Sequence, residues 1–154
     1  MMAEQNMQEF IKVLSSKAAV PGGGGACAYV AAAGMALGAM VANLTTGKKK
    51  YAQYQEEIEE LLSKTEQLSK ELMTYMDKDA ESFEPLSKAY GLPKDTKEQQ
   101  EYKDVVMEKA LKEASLTPVA LMEKILEALK ILERLSVVGS RLAISDVGAG
   151  VQLC

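Results

Sequence analysis

The sequence predicts an all-α protein, arranged as an antiparallel bundle of long helices. Helix-favouring alanine, leucine, methionine, glutamate and lysine are abundant, whereas the 154 residues include four prolines, two phenylalanines and no tryptophan. Apolar residues also recur at helical spacing along most of the chain. A chain of this length buries one core, so we predict a single domain over residues 1–154.

Charge and composition exclude several classes of function. The net charge is −4 and the isoelectric point is about 5.0, so we expect neither a nucleic-acid partner nor an anionic membrane partner. The chain has no histidine, which excludes serine triads, Cys/His pairs and histidine-ligated metal sites within it. Acid/base chemistry must then fall to Asp, Glu, Lys, Tyr or Cys.

Cysteine usage and the first residues bear on the cellular compartment. The two cysteines, Cys27 and Cys154, do not make a disulfide framework, which is typical of a reducing cytosol. The first fifteen residues are polar and amphipathic and show no secretory signal. We therefore expect a cytoplasmic protein.

The first helix is predicted over residues 4–14, where apolar residues have amphipathic spacing at Met7, Phe10, Ile11 and Leu14. The loop SSKAAVPGGGG ends it. The segment from Gly25 to Leu44 then has no charge and is long enough to cross a bilayer, with Gly34 and Gly38 in a GxxxG pattern. Because alanine and glycine dominate it and amphipathic helices follow, we favour a central helix buried by its neighbours or by a second subunit.

A long helix with a heptad-like apolar stripe is predicted after TTGKKK. The stripe comprises Tyr54, Ile58, Leu61, Thr65, Leu68, Leu72, Tyr75, Asp79, Phe83 and Leu86. Asp79 lies on this stripe and is predicted to point inward. Asp77 is rotated away from it, beside Lys78, and is predicted to face solvent.

Pro93 ends the long helix with a turn, and Asp95 or Thr96 is predicted to cap the next helix. Pro118 either lies in the first turn of a further helix or kinks a continuous one. The apolar side is predicted to comprise Tyr102, Val105, Val106, Ala110 and Ala114, and then Val119, Met122, Ile125, Leu126, Leu129 and Leu132. After Gly139, Ser145 or Asp146 is predicted to cap a last helix, which the end of the chain truncates.

An inward-pointing Asp79 needs compensation, because an ionised carboxylate on an apolar face costs several kcal/mol unless it is paired or neutral. One interpretation is structural: an ion pair or a cap partner, for example with Arg141. The other is a general acid/base whose proton affinity desolvation raises. The lack of histidine favours the second interpretation.

Three glycine-containing segments have both structural and functional interpretations. VPGGGG is either a flexible joint or a set of backbone amides that bind a carboxylate or carbonyl oxygen at a helix N-terminus. TTGKKKY is either a helix C-cap followed by lysines that complement the helix dipole, or a cationic patch for an anionic ligand. SDVGAG is either a cap with close-packing glycines or part of a site.

Four segments in this order, VPGGGG, NLTTGKKKY, MDKDAESFEPLSKAYGLPKDT and AISDVGAG, resemble the cyclodeaminase/cyclohydrolase family. The similarity runs from about Ser15 to Gly150. The family includes the C-terminal domain of formiminotransferase-cyclodeaminase and stand-alone methenyltetrahydrofolate cyclohydrolases. The resemblance implies an all-helical homodimer with a folate site near the subunit interface.

The resemblance also implies roles for individual residues. Asp79 matches the family's proton-transfer aspartate in a D-A-x-x-F segment. The implied substrate-binding residues are Pro21, Gly22, Gly23, Gly24, Gly47, Lys48 and Asp146. Two departures stand out: Gly25 replaces a common serine, and the chain ends where family members continue with a further helix.

The implied reaction is cyclisation of 5-formiminotetrahydrofolate to 5,10-methenyltetrahydrofolate with release of ammonia, in which one carboxyl group moves both protons. Tyr75 and Phe83 would exclude water from Asp79. Lys48, with Lys49 or Lys50, would bind the glutamate tail of a folate that can be polyglutamylated. The folate is the substrate, and neither a metal nor a tightly bound cofactor is expected.

Two alternatives remain. The first is hydrolysis of 5,10-methenyltetrahydrofolate to 10-formyltetrahydrofolate, and the second is a helical module that only dimerises. Neighbouring genes of histidine degradation would favour ammonia release. The resemblance also implies a formiminotransferase as a candidate partner. Genes of one-carbon metabolism would favour hydrolysis.

Overall fold

The computed structural model describes residues 2–154, and this part of the chain contains five α-helices and no strand. The helices are α1, Met7–Leu14; α2, Gly23–Thr45; α3, Gln55–Tyr90; α4, Lys97–Val138; and α5, Ile144–Leu153. Short 3-10 helices cover Met2–Glu4, Lys49–Tyr54 and Arg141–Ala143. The predicted all-α fold class is therefore confirmed.

The chain forms two compact units, each assembled from two separate stretches of sequence. The first unit comprises Met1–Ala26 and Thr74–Leu121, and the second comprises Cys27–Met73 and Met122–Cys154. The buried apolar residues of the first unit include Phe10, Met76, Leu86, Ala89, Ala110 and Leu121. Those of the second include Met35, Val41, Ile58, Leu72, Leu132, Leu135 and Val138. That residues 1–154 are one domain stays a prediction.

Helix α2 is the uncharged segment predicted from the sequence, and by length and composition it is apolar enough to cross a membrane. Half of its most apolar window is buried within the protein. A Cβ added to Gly38 would lie 3.1 Å from Leu132 and 3.2 Å from Thr65, so a small residue lets α3 and α4 pack closely here, as predicted. Met40 and Leu44 are exposed, so neighbours within the chain bury only part of this helix.

Helix α3 follows the predicted stripe. Its members Ile58, Leu61, Thr65, Leu68, Leu72 and Leu86 are buried, and Tyr54, Tyr75, Asp79 and Phe83 are half-buried. The prediction that Asp77 faces solvent is wrong: it is half-buried, and its carboxylate accepts a hydrogen bond of 2.7 Å from the Met2 amide. Periodicity within α3 does not reveal that the N-terminal segment covers this face.

Helix α4 begins as predicted with a cap from Thr96. The Thr96 hydroxyl accepts a hydrogen bond from the Gln99 amide at 3.2 Å, and the Gln99 side chain accepts one from the Thr96 amide at 3.2 Å. This reciprocal pair is a capping box. Pro118 lies inside the continuous helix, which settles the two alternatives that the sequence left open.

The predicted apolar side of α4 is wrong for part of its length. Ala110 and Leu132 are buried as predicted, but the predicted core residues Tyr102, Val105, Val119, Met122 and Leu126 are exposed. The buried residues include Leu121, Ala128, Ile131 and Leu135 instead. Because α4 carries apolar residues on more than one face, spacing alone did not identify the face that packs within the chain.

The predicted cap of α5 is also wrong. The helix begins at Ile144, with Ala143 at the N-cap position and no side chain acting as a cap. Asp146 lies within the first turn rather than before it. The reason is local: the 3-10 turn Arg141–Ala143 leads directly into the helix, so the backbone is already helical when it reaches Ser145.

Candidate active site

The start of α2 presents backbone amides that lack acceptors within the helix. Pro21 is buried and follows a cis peptide bond from Val20. The helix begins at Gly23, and the Ala26 amide donates to the Gly22 carbonyl at 3.1 Å. The backbone amides of Gly23, Gly24 and Gly25 therefore have no acceptor within the helix. They form the positive end of the helix dipole.

Asp79 of α3 provides an acceptor for one of these amides. The Gly25 amide donates to Oδ2 of Asp79 at 3.0 Å. A negative charge is favourable at this end of a helix. Of the structural alternatives left open by the sequence, the structure shows the cap partner, because Asp79 has no ion pair among the described residues.

Gly24 is the residue that lets the carboxylate approach so closely. A Cβ added at this position would lie 2.5 Å from Cγ and 2.8 Å from Oδ2 of Asp79, and closer still to Oδ1. Atoms cannot share that space, so any side chain at Gly24 must displace Asp79 or the start of α2. The third glycine of the VPGGGG loop is therefore required for contact with Asp79.

A cavity of about 380 Å³ lies within the first unit, and neither Asp79 nor Gly25 is among its lining residues. Two of its lining residues, Val20 and Ala80, are the chain neighbours of Pro21 and Asp79. Its remaining lining residues are Ala19, Glu81, Phe83, Glu84, Ser87 and Lys88. Most of this wall is apolar, and the Phe83 ring offers a flat surface to an aromatic ligand.

The carboxylates lining the cavity differ in their partners. Lys88 forms an ion pair of 2.7 Å with Glu84, and its hydrogen bond lowers the pKa of Glu84. Glu81 is exposed and has no ion pair in the part of the chain that the structure describes. Tyr75, which we expected to exclude water from Asp79, is half-buried, and the Lys78 ammonium lies 4.5 Å from the centroid of its ring.

Gly47 and Lys48 lie in the second unit, after the end of α2. Gly47 has a φ of 74°, a left-handed conformation that favours glycine. Its amide donates to the Gln55 side chain at 3.0 Å. The turn directs the Lys48 ammonium to within 3.5 Å of the Ser140 hydroxyl. Gly47 is therefore needed for the geometry of this turn, and Lys48 is the residue that provides charge.

Of the remaining predicted site residues, Gly22 and Gly23 lie in the first unit and Asp146 lies in the second. Gly22 and Gly23 belong to the loop and first turn that contact Asp79, and a Cβ at either would meet no atom within 4 Å. Asp146 is half-buried in the first turn of α5, in the second unit. Within residues 2–154, no group of three or more Asp, Glu, Cys or His could hold a metal ion.

Comparison with known proteins identifies the family. Residues 6–154 match the model of the formiminotransferase-cyclodeaminase family, which is nearly the whole chain. The chain belongs to the formiminotransferase-cyclodeaminase family. The resemblance seen in the sequence is confirmed, and with it the expectation of an enzyme of folate chemistry.

Members of the formiminotransferase-cyclodeaminase family differ in their named activities. The chain is 37% identical over 151 residues to the methenyltetrahydrofolate cyclohydrolase of Methylorubrum extorquens, covering 98% of this chain and 73% of that protein. It is 30% identical to the formimidoyltransferase-cyclodeaminase of Sus scrofa, covering 92% of this chain but 26% of that protein. The crystal structure of a formiminotetrahydrofolate cyclodeaminase from Thermotoga maritima superposes with a TM-score of 0.86 at 29% identity, covering 100% of this chain and 73% of that chain.

The sequence reasoning missed two residues that the structure places at the Lys48 turn of this family member. The first is Tyr51, whose hydroxyl accepts a hydrogen bond from the Arg141 amide at 3.0 Å. The second is Ser140, which is buried and next to Lys48. The position of Tyr51 directly after three lysines could have indicated a role in ligand binding. No pattern in the sequence indicated Ser140, because it is distant from Lys48 along the chain.

The close contact between Gly24 and Asp79 predicts strong coupling between substitutions. Gly24→Ala should destabilise the protein by about 1–3 kcal/mol, because the new Cβ overlaps the carboxylate. In an Asp79→Ala background that overlap is gone, and the same change should be neutral or stabilising by up to about 1 kcal/mol. Urea unfolding of the four proteins measures the coupling free energy. A coupling below about 0.5 kcal/mol, the size expected for independent sites, would contradict the contact.

Proposed function

We propose that the protein hydrolyses 5,10-methenyltetrahydrofolate to 10-formyltetrahydrofolate. The observation that carries the proposal is the Asp79 carboxylate at the start of α2. Oδ2 is held by the Gly25 amide, and Oδ1 accepts no hydrogen bond from the described residues. One oxygen is thus fixed, and we assign proton transfer with the substrate to the other, which lies next to Gly24. The 37% identity to a methenyltetrahydrofolate cyclohydrolase supports hydrolysis as the reaction.

In the first step of the proposed reaction, Asp79 acts as a general base. The methenyl carbon is joined to N5 and N10 and carries positive charge, so it is open to attack by water. Oδ1 accepts a proton from the water as its oxygen bonds to the carbon. The product of this step is a neutral carbinolamine. The Gly25 amide keeps the carboxylate in place during the transfer.

In the second step, the same group acts as a general acid. The protonated Asp79 returns its proton to N5 as the bond between N5 and the one-carbon unit breaks. The hydroxyl proton leaves to solvent and the carbonyl of the N10-formyl group forms. One proton is released in total, and the carboxylate is regenerated. A single side chain is sufficient, which fits a chain without histidine.

Cyclisation of 5-formiminotetrahydrofolate is the second candidate function. The TM-score of 0.86 with a formiminotetrahydrofolate cyclodeaminase favours it. In this reaction N10 attacks the carbon of the protonated formimino group and loses a proton to Asp79. Asp79 passes that proton to the leaving nitrogen, so that ammonia departs and the methenyl cation forms. For this candidate we also propose a formiminotransferase partner and a place in histidine degradation.

The other predicted residues receive roles in substrate binding. Pro21 and the amides of Gly22, Gly23 and Gly24 would contact polar edges of the folate ring system, which fits their position at the start of α2. Lys48, placed by Gly47, would bind the glutamate tail, and Asp146 a ring nitrogen. The folate serves as substrate, without a tightly bound cofactor, in the cytoplasm.

We also propose that the protein is a homodimer. One face of α4 exposes large apolar residues at helical spacing, namely Tyr102, Val105, Leu116, Val119, Met122 and Leu126. Exposed large apolar residues that recur along one helix are typical of an interaction site. The exposed Met40 and Leu44 of α2 are further apolar surface that a second copy can bury.

Substitution of Asp79 tests the reaction. Asp79→Asn keeps an oxygen that can accept from the Gly25 amide but cannot take up a proton, so the helical circular dichroism should be retained. Turnover of 5,10-methenyltetrahydrofolate, followed by its absorbance, should fall by about 10²–10⁴-fold. Asp77→Asn, the same change at a residue bonded to the Met2 amide, should leave turnover unchanged. Full activity of the Asp79 variant would refute the proposed role.

A parallel assay with 5-formiminotetrahydrofolate decides between the two candidate functions. The wild-type protein should convert the methenyl substrate with the higher kcat/KM. Release of ammonia as the faster reaction would instead establish the cyclodeaminase. Turnover of neither substrate would leave the helical dimerisation module as the better description.

The proposed dimer depends on the apolar face of α4. Leu126→Lys places a charge on this face and should shift the protein from dimer to monomer in analytical ultracentrifugation. Ser63→Lys adds the same charge at an exposed position of α3 and should leave the dimer intact. A wild-type protein that sediments as a monomer would contradict the proposal.

A further inference from the structure

The turn between α4 and α5 is tied to the end of α2 within the second unit. The Ser140 amide donates to the Thr45 hydroxyl at 2.8 Å, and that hydroxyl donates to the Val41 carbonyl at 2.7 Å. Ser140 is 3% exposed and Thr45 is fully buried. A hydrogen bond between buried groups is costly to lose, so this turn has a defined position relative to the lysine-containing turn that follows α2.

The same turn between α4 and α5 also contacts the side chain of Tyr51. The Tyr51 oxygen accepts a hydrogen bond of 3.0 Å from the Arg141 amide, and the neighbouring Ser140 hydroxyl contributes to lowering the pKa of Tyr51. The Lys48 ammonium lies 3.5 Å from that same hydroxyl. Three polar groups from segments about ninety residues apart are therefore collected in one place.

The electrostatics of this cluster favour an anionic ligand. The Arg141 amide, the Ser140 hydroxyl and the nearby Lys50 and Lys48 ammonium groups lower the pKa of Tyr51, although partial burial opposes this. None of these lysines, nor Arg141, has an acidic partner within the described part of the chain. The positive charge is thus uncompensated in a protein whose net charge is −4.

We propose that Lys48, Tyr51 and Ser140 form a carboxylate-binding site for the glutamate tail of the folate substrate, with Tyr51 as the neutral donor. The inference rests on the proposed function, and it assigns roles to Tyr51 and Ser140, to which the sequence motifs and the family resemblance gave none. With donors already directed at its oxygen, Tyr51 has its own hydroxyl proton available for the ligand. Ser140 is a positioning residue that holds both Tyr51 and Lys48.

Kinetics with a truncated substrate test this assignment. The two substrates are 5,10-methenyltetrahydrofolate and 5,10-methenyltetrahydropteroate, which lacks the glutamate. Tyr51→Phe should raise KM about tenfold for the first, because a hydrogen bond to a charged group is lost, and leave KM for the second unchanged. Ser140→Ala should raise KM for the first substrate by a smaller factor. The matched control is Tyr54→Phe, which removes a hydroxyl from the same 3-10 helix and should change neither KM.

The pH dependence provides a second readout that a purely structural role would not change. Above its lowered pKa, Tyr51 is a phenolate, which cannot donate and repels a carboxylate. KM for the glutamate-bearing substrate should therefore be low at neutral pH and rise as Tyr51 ionises at alkaline pH. The groups around Tyr51 are the Arg141 amide on its oxygen, the Ser140 hydroxyl, and the Lys50 and Lys48 ammonium groups. Tyr51→Phe should reduce this alkaline rise.

The outcomes separate the inference from the proposed function. An equal rise in KM for both substrates in Tyr51→Phe would overturn the tail site while leaving the reaction intact. If KM of Tyr51→Phe for the glutamate-bearing substrate is unchanged, the tail site is likewise overturned and the reaction is not. A wild-type protein that turns over neither substrate would overturn the proposed function, and the tail site with it.

Discussion

The hydrogen bond from the Gly25 amide to the Asp79 carboxylate joins the start of α2 to α3. A half-buried carboxylate is unfavourable among apolar neighbours unless donors or positive charge compensate it. Here the compensation comes from the start of α2, through the Gly25 amide, which has no acceptor within the helix, and through the positive end of the helix dipole. The glycine loop is necessary because the atoms of Asp79 occupy the place of a Cβ at Gly24.

This arrangement resolves an apparent conflict between the two interpretations of Asp79. A cap partner is usually a structural residue, and a proton-transfer group needs a free oxygen. In the proposed reaction Asp79 does both, because one oxygen is bonded to the helix and the other is not hydrogen-bonded by the described residues. Fixing one oxygen also limits the orientations of the other, which is the kind of preorganisation that acid/base catalysis requires.

The sequence predicted those features that depend on neighbouring residues in one helix. Periodicity identified the buried stripe of α3, on which the half-buried Asp79 lies, and Thr96 was one of two residues predicted to cap α4. Features that depend on distant segments were not predictable in this way. The bond from Met2 to Asp77, the exposed face of α4 and the contact of Ser140 with Lys48 all involve surfaces that a single helix does not specify.

A crystal structure of the protein with bound 5-formyltetrahydrofolate, a folate that carries a one-carbon unit, tests the central claim most directly. The account predicts that Oδ1 of Asp79 lies within hydrogen-bond distance of the atoms around the one-carbon unit, about 2.6–3.2 Å. It also predicts that the Gly25 amide still donates to Oδ2. A folate bound with its one-carbon unit away from Asp79, while that carboxylate still caps α2, would show that Asp79 has only a structural role.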